Sequence, residues 1–541
     1  MNTLKSSLKG TNTVVYIISV IGITVLINLL SYNNFYRFDL SSQKSYSLSK
    51  ASKKLMQNLK DPVNIKAFFS TNLPPPFNSN RRYIRDLLDE FRAYSHGKLN
   101  YTFIDPEEDI ELKKEAQSLG IMEVQLTNVS RDKFMVNKAF MGLAFIYREK
   151  NETIGMIKNT DNLEYEITSL IKKLVSKEEK RVGLFIKKEK EEEDPYERIK
   201  NFSNGIESLY KTLKINIEED PLPGQLDSLI VVGPYKDFTD WEIFQIDQFI
   251  LKGGPTAFLL NRVKIDNKRM TGTRGDDKIF DLLENYGVRI NADLILDLQC
   301  QRVSVSQPRG KIVLNTIVQY PFFPLITNFN RDNIMTREQK NIVLNYVSSL
   351  TPLNDRIKEA NLKYEPVIET SKKAWKLRNY FPLSPFGIKP PKGTTDYKAY
   401  TLACILSGGL KSYFQDREIP ELESKDGKDE DSNKKNELIT KGDNSRIFII
   451  SNSYFIENRN FTKSNAVFAM NMVDWLCQDE EMINIRNKGI TIKPLGNVSF
   501  RMRNFIKYFN ILFLPALVII LGLFMWKVRS LKKRRYTRAF Q

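Results

Sequence analysis

The side chains that could do chemistry are few. Among 541 residues there is one histidine, His96, and there are three cysteines, Cys300, Cys404 and Cys477. A single imidazole excludes any His-paired metal site and leaves a Ser-His-Asp triad only one candidate base. The cysteines have no C-x-x-C spacing, which argues against zinc and iron–sulfur sites. Spacing alone does not say which pair, if any, could oxidise. Asp105-Pro106-Glu107-Glu108-Asp109 could hold a cation or transfer protons, but at a strand end it reads as a turn capping the next helix. Asp276-Asp277 and Asp281 could also bind a cation, and read more simply as solvated acids at a helix start. Gly408-Gly409-Leu410-Lys411-Ser412 looks superficially like a phosphate loop but lacks the G-x-x-x-x-G-K-[ST] spacing. No G-x-S-x-G elbow or G-x-G-x-x-G fingerprint occurs, and Gly253-Gly254-Pro255 reads as a helix C-cap and turn. The expectation is no catalytic, cofactor-binding or metal-binding residues, and no enzyme.

The elements that would position such residues lie between two apolar runs. Val14 to Leu30 is 17 residues without a charge and Tyr508 to Trp526 is 19. Both reach the roughly 17–25 residues that a membrane helix needs. Ser31 to Phe35 offers no small-x-small cleavage site, so the first run reads as an uncleaved anchor. Pro515 lies inside the second, as membrane helices tolerate. The formal net charge is +18, of which seven basic residues fall in the tail after Trp526 and two, Lys5 and Lys9, in the head. The positive-inside rule then places both termini in the cytoplasm and residues 31–507 on the far side, as a periplasmic domain at a bacterial inner membrane. The remaining charge shows no Arg-rich helix and no aromatic–basic interleaving, which argues against nucleic-acid binding.

The predicted organisation is α/β throughout the ectodomain. Residues 1–13 form a cytoplasmic tail, 14–31 the first membrane helix and 32–61 a juxtamembrane linker and helix, with Leu48, Leu55, Met56 and Leu59 at helical spacing. From 62 to 178, strands Val63–Phe69 and Leu99–Asp105 alternate with helices Tyr83–Tyr94 and Ile110–Leu119. Phe134–Glu149 and Glu152–Ile157 follow as a hairpin. The order β-α-β-α-β-β predicts a thioredoxin-like layer. From 179 to 480, strands Arg181–Lys187, Leu229–Gly233, Thr256–Leu260 and Ile290–Asp297 alternate with helices Phe202–Leu213, Trp241–Leu251 and Ile279–Tyr286. That series predicts a mostly parallel sheet with helices on both faces. Residues 422–444 read as a disordered loop, Arg446–Ser451 as a buried strand and Ala466–Leu476 as the closing helix. A return linker (481–507), the second membrane helix (508–526) and a basic cytoplasmic tail (527–541) complete the chain.

Several runs together resemble a known family. They are Arg37-Phe38-Asp39-Leu40-Ser41 with Lys44-Ser45-Tyr46-Ser47-Leu48-Ser49, and Leu87-Leu88-Asp89-Glu90-Phe91 with Ile104-Asp105-Pro106. Further on come Asp227 to Pro234, Ile246-Asp247-Gln248-Phe249-Ile250 with Gly253-Gly254, Leu282 to Asn291, and Asn471-Met472-Val473-Asp474-Trp475-Leu476. In this order they resemble the gliding-motility (GldG-like) auxiliary proteins of ABC transporters, over nearly the whole ectodomain and both anchors. The resemblance implies an extracytoplasmic component beside a separate permease and ATPase. It also implies that the second α/β part is similar to the class I glutamine-amidotransferase fold. That activity would need a cysteine on a strand-to-helix elbow with a histidine partner. Cys300 is followed by Gln301-Arg302 and strand-like Val303-Ser304-Val305, and His96 lies in the other part, so the fold is implied without its chemistry. Many relatives carry a Gly-His-Gly-Glu-like turn after the strand corresponding to Arg181–Lys187. This chain has Lys187-Lys188-Glu189-Lys190 there, so a ligand bound by that turn in relatives would be lost here.

The expected function is a non-enzymatic auxiliary subunit. Its ectodomain would couple movement of an ABC permease and ATPase to a substrate or an envelope partner, with self-association left open. A ring-forming regulator of polysaccharide chain length or export shares the two-anchor plan but relies on long helices. An unrecognised hydrolase is the third reading.

Overall fold

The run Val63–Phe69 alternates apolar and polar residues, and it forms the strand around which the first sheet is built. It pairs in parallel with Leu99–Ile104 and antiparallel with Met141–Tyr147, and Lys150–Ile154 adds the outer strand beyond. A parallel pair needs a crossover. Helix Phe77–Tyr94 supplies it, burying Ile84, Leu87, Leu88 and Phe91 along one stripe. Helix Ile110–Ser118 follows, and Leu163–Val175 packs Ile167, Ile171 and Leu174 into the same core. The computed structural model describes residues 19–26, 47–75, 77–130, 133–160, 162–176, 179–187, 194–217, 221–233, 237–309, 312–393, 396–420, 438–479, 482–483, 485–486 and 500–538.

The order β-α-β-α-β-β is present with one insertion. The predicted strand Phe134–Glu149 breaks at Phe140. Before the break, Lys133–Ala139 pairs back on Val124–Ser130 as a separate two-stranded ribbon. Phe140 is buried, and its N–H donates to Ser70 Oγ at 3.0 Å. The chain turns inward there to start Met141–Tyr147.

The second sheet has eight strands. Their order is Asn328–Phe329, Lys363–Glu369, Thr401–Lys411, Lys441–Ile450, Thr256–Leu260, Ser228–Gly233, Arg181–Ile186 and Lys211–Ile215. The last five are parallel, and the first three join through antiparallel pairings. Ser228–Gly233 and Thr256–Leu260 are buried at every residue, as expected of central parallel strands. Helices Lys200–Glu207 and Lys463–Leu476 cover one face; Asp240–Leu251 and Lys278–Asn285 cover the other.

Three expectations change here. The predicted helix Phe202–Leu213 stops at Glu207, and Lys211–Ile215 becomes an edge strand paired with Arg181–Ile186. The predicted strand Ile290–Asp297 does not join the sheet. It splits into Val288–Ile290 and Asp293–Asp297, which pair with Leu350–Pro352 and Ala374–Arg378. Asn291 makes the break, its N–H donating to Ser349 O at 2.9 Å and its amide reaching Ser349 and Thr351. Lys441–Ile450 takes the place beside Thr256–Leu260 instead. The predicted disordered loop 422–444 therefore ends too late: residues 441–444 are strand, and Gly442 pairs with Leu410. Residues 422–437 lie outside the described residues, as do 188–193 of the charged run after Lys187.

The described chain divides into two compact units, Met1–Ile490 and Thr491–Gln541. The second holds one helix, Phe500–Arg538, with Pro515 inside it. Within it Asn504–Arg529 is long and apolar enough to cross a membrane, by length and composition. The helix begins within the predicted return linker. Of the first apolar run, residues 19–26 are described and are helical; the rest of that predicted span, and Arg37–Tyr46, lie outside the described residues.

Candidate functional site

The residues singled out for chemistry lie in separate parts of the structure. His96 is exposed in the turn between Phe77–Tyr94 and Leu99–Ile104, with φ at 51°. The three thiols are free. Burial pushes each of them up, Cys477 to about 12, the reverse of what a nucleophilic thiol needs. Asp105 Oδ1 accepts from Glu107 N–H at 3.0 Å and Oδ2 from Thr71 N–H at 2.7 Å. Burial opposes its charge, but hydrogen bonds from Thr71 and Glu107 outweigh it and hold the carboxyl below its usual range. Asp109 caps Ile110–Ser118 through Glu111 N–H at 3.0 Å. Asp276 is exposed and pairs with Arg262 and Arg274, each at 2.9 Å.

Asp277 departs from the solvated reading. It is buried, caps Lys278–Asn285 through Ile279 N–H and also holds Phe238 N–H, both at 2.9 Å. Burial pushes its carboxyl up. Gly408–Ser412 is not a loop: it ends the strand Thr401–Lys411, and Ser412 donates to buried Asp247 at 2.7 Å. Gly253, at φ 88°, closes Asp240–Leu251 as expected, its N–H donating to Ile250 O at 3.0 Å. Among the described residues, no group of three or more His, Cys, Asp or Glu could hold a metal ion.

Charged groups converge instead where the closing helix Lys463–Leu476 ends. Asp474 is fully buried there. Its carboxylate lies 2.7 Å from Arg486 Nη1 and accepts from the Tyr210 hydroxyl at 2.8 Å. Arg486, also buried, donates to Asn471 Oδ1 at 2.8 Å and to the Tyr165 hydroxyl. Just past the helix, Gln478 adopts φ 55°, and Asp479 accepts at both oxygens from Lys172 Nζ at 2.6 Å. Burial pushes Asp474 up to about 6 even beside Arg486. Burial also opposes the Arg486 charge, but Asp474 outweighs it and holds the guanidinium protonated.

Tyr165 and Lys172 belong to Leu163–Val175 in the first layer, and Tyr210 leads into the edge strand Lys211–Ile215. Ile483 and Ile485 are buried beside Arg486 in the sequence. The network therefore latches the last described segment of the first unit to both sheets. Beside the latch opens a cleft of about 420 Å³, lined by Ile154, Tyr165, Glu166, Leu209, Met470 and Arg486 among others. Sequence reading missed this cluster. The available signal was Asp474 inside the apolar run AVFAMNMVDWL, because a carboxylate on a buried face needs a partner.

The family described as an ABC-type uncharacterized transport system matches residues 152–477, more than half of the chain. This chain belongs to that family. The match runs from the outer strand of the first sheet through the eight-stranded sheet to the end of the closing helix, so it includes Lys172, Tyr210 and Asp474. A domain family of unknown function matches residues 42–146, the region of the first sheet. An uncharacterized protein of Borreliella burgdorferi is 23% identical over 516 residues, covering 92% of this chain and 94% of that protein. Among solved structures, the "mmIFT52 N-terminal domain" matches with a TM-score of 0.31 and 15% identity, over 54% of this chain and 96% of that one. As a family member the chain is an auxiliary component of an ABC transport system.

In this ABC transport family member, the parallel strands in chain order lie as 2-1-3-4-5. The order reverses between Arg181–Ile186 and Ser228–Gly233, and open α/β sheets bind ligands at the carboxyl ends of such strands. Here Lys187 occupies that end. Its Nζ lies 2.7 Å from Glu242 Oε2, with both side chains buried. The same oxygen accepts Thr239 N–H at 2.6 Å in the capping box that starts Asp240–Leu251. The charge at the head of the strand is thus neutralised from within. Lys188, Glu189 and Lys190 lie outside the described residues.

Proposed function

We propose that this chain is a non-enzymatic, membrane-anchored auxiliary subunit of an ABC transport system. Its ectodomain passes movement of the permease and ATPase to a substrate or envelope partner. In this reading the first layer is thioredoxin-like and the eight-stranded sheet glutamine-amidotransferase-like. Both termini are cytoplasmic, the ectodomain is periplasmic and the functional kin are GldG-like proteins. The match over residues 152–477 carries the assignment to an ABC system. The latch supports a coupling route. In the sequence Arg486 lies after the closing helix and before the apolar helix Phe500–Arg538, and it pairs with Asp474 of the closing helix. Displacing it breaks contacts to Asp474, Asn471 and Tyr165 together, so a pull on that segment reaches Leu163–Val175.

The test is co-purification of the full chain in mild detergent. A polytopic permease and an ABC ATPase are expected to come with it. If neither does, the transport assignment fails. Ring-sized assemblies without transporter subunits would favour the chain-length regulator. That alternative is disfavoured by the fold, because the longest described helix of the first unit is the 18-residue Phe77–Tyr94.

A further inference from the structure

The cleft beside the latch has a chemistry of its own. Its walls are apolar, formed by Ile154, Leu170, Leu209, Val467 and Met470. Its volume of about 420 Å³ is that of a small-molecule site. Two acceptors, Asn162 and Glu166, stand one helical turn apart on one face of Leu163–Val175. Asn162 precedes that helix, yet its side chain does not cap it, and its Oδ1 is buried without a hydrogen-bond partner. Glu166 is exposed on the cleft wall and makes no ion pair with another described residue. The one cation among the described lining residues, Arg486, is already committed to Asp474, Asn471 and Tyr165.

Among the described lining residues, what is missing is therefore a free donor with positive charge. We propose that it binds an apolar stem ending in an ammonium or guanidinium group, with Glu166 and Asn162 Oδ1 receiving the cationic head. A carboxylate head would meet Glu166 and be repelled. A hydroxyl head would satisfy one acceptor and leave the charge unanswered. The occupied cleft would touch Ile154 and Leu170 on one side and Val467 and Met470 on the other, so the ligand bridges the same two helices as the latch. This goes beyond the transport assignment and is tested without it, because binding to the purified chain requires no permease.

The full chain in nanodiscs would be titrated with n-hexylamine, n-hexanol and hexanoate, followed by saturation-transfer NMR. Saturable hexylamine binding is expected, with hexanol and hexanoate each weaker by about tenfold or more, as for loss of one charge-assisted hydrogen bond. Glu166→Gln should weaken hexylamine by a similar factor and leave hexanol unchanged. Glu166 keeps part of its surface exposed, so the variant should fold, and an unchanged circular dichroism melt would establish that it does. The peptide Ac-Ile-Lys-Ile-NH2 separates the sources. Tighter binding than hexylamine identifies a basic side chain of a partner polypeptide, and weaker binding a free amine. Equal binding of hexanoate and hexylamine, or a Glu166→Gln variant with undiminished hexylamine affinity, would overturn the proposal.

Discussion

Replacing Arg486 by methionine tests the latch most directly. The substitution keeps an unbranched stem against the Tyr165 ring, over which the guanidinium now lies at 4.4 Å, and removes the charge. Asp474 is then left fully buried, with the Tyr210 hydroxyl as its remaining side-chain donor among the described residues. Stranding one partner of a buried pair costs about 3–5 kcal/mol. At about 1.4 kcal/mol per tenfold, local opening of the closing helix should become about two to three and a half orders of magnitude more frequent. Native-state amide exchange of the full chain, read on peptides covering Asn471–Asp479, measures this. The double variant Arg486→Met/Asp474→Leu should recover most of the protection, because it removes the orphaned charge.

The pH dependence has a defined sign. Asp474 titrates near 6 in the folded chain, against an ordinary 3.8. The native state therefore holds this proton more tightly than the unfolded state does. The penalty for its charge is fully present above about 6 and fades as pH falls toward 3.8, so protection should rise between pH 7 and pH 5. Acid should rescue Arg486→Met more than the parent chain, since the variant has lost the main stabiliser of the carboxylate. Exchange altered less than about threefold in Arg486→Met, or no rescue by acid, would refute the reasoning.

Three further outcomes are expected. Lys187→Met strands Glu242 in the same way and should cost about 3–5 kcal/mol, with Lys187→Met/Glu242→Leu recovering most of it in a thermal melt. Gly442→Ala places a Cβ 2.6 Å from the Leu251 carbonyl oxygen. It should cost about 1–3 kcal/mol in a urea titration, and an unchanged midpoint would remove close approach as the reason for glycine there. Asp276→Ala removes an exposed carboxylate from exposed Arg274 and from largely buried Arg262 and should cost no more than about 1 kcal/mol, where a larger loss would show that Arg262 depends on it.

What the sequence made legible follows from where the signal lies. Ser228–Gly233 and Thr256–Leu260 are buried on both faces, so their apolar runs are unbroken and their flanking helices amphipathic. Both were readable within a residue or so. Lys211–Ile215 was not, because an edge strand with two lysines carries the composition of a helix face as well as that of a strand. The split at Asn291 depends on Ser349 and Thr351, nearly sixty residues away, and no local pattern encodes that. The latch was hidden for the same reason. Lys172, Tyr210, Asp474 and Arg486 come from four separate segments, and each alone reads as an ordinary surface or core residue. Asp105 and Asp109 were read correctly as caps because capping is a contact with the next few backbone groups.

A buried ion pair is a poor choice for stability alone, since well-packed apolar side chains of equal volume would often hold the same junction as firmly. What an ionic latch adds is discreteness. Apolar contacts loosen gradually, whereas Arg486 either meets Asp474, Asn471 and Tyr165 or leaves a buried charge unpaired. Coupling between distant sites requires an element with distinct arrangements that both sites bias. Arg486 meets the structural half of that requirement, because one guanidinium joins the closing helix of the large sheet to the last helix of the first layer. The coupling reading therefore makes a claim that stability measurements cannot satisfy. If the coupling reading holds, the parent chain alters transporter ATPase activity, and the apolar double variant Arg486→Met/Asp474→Leu should fold normally and fail to do so. A fully active double variant would leave the network as packing and move the coupling elsewhere.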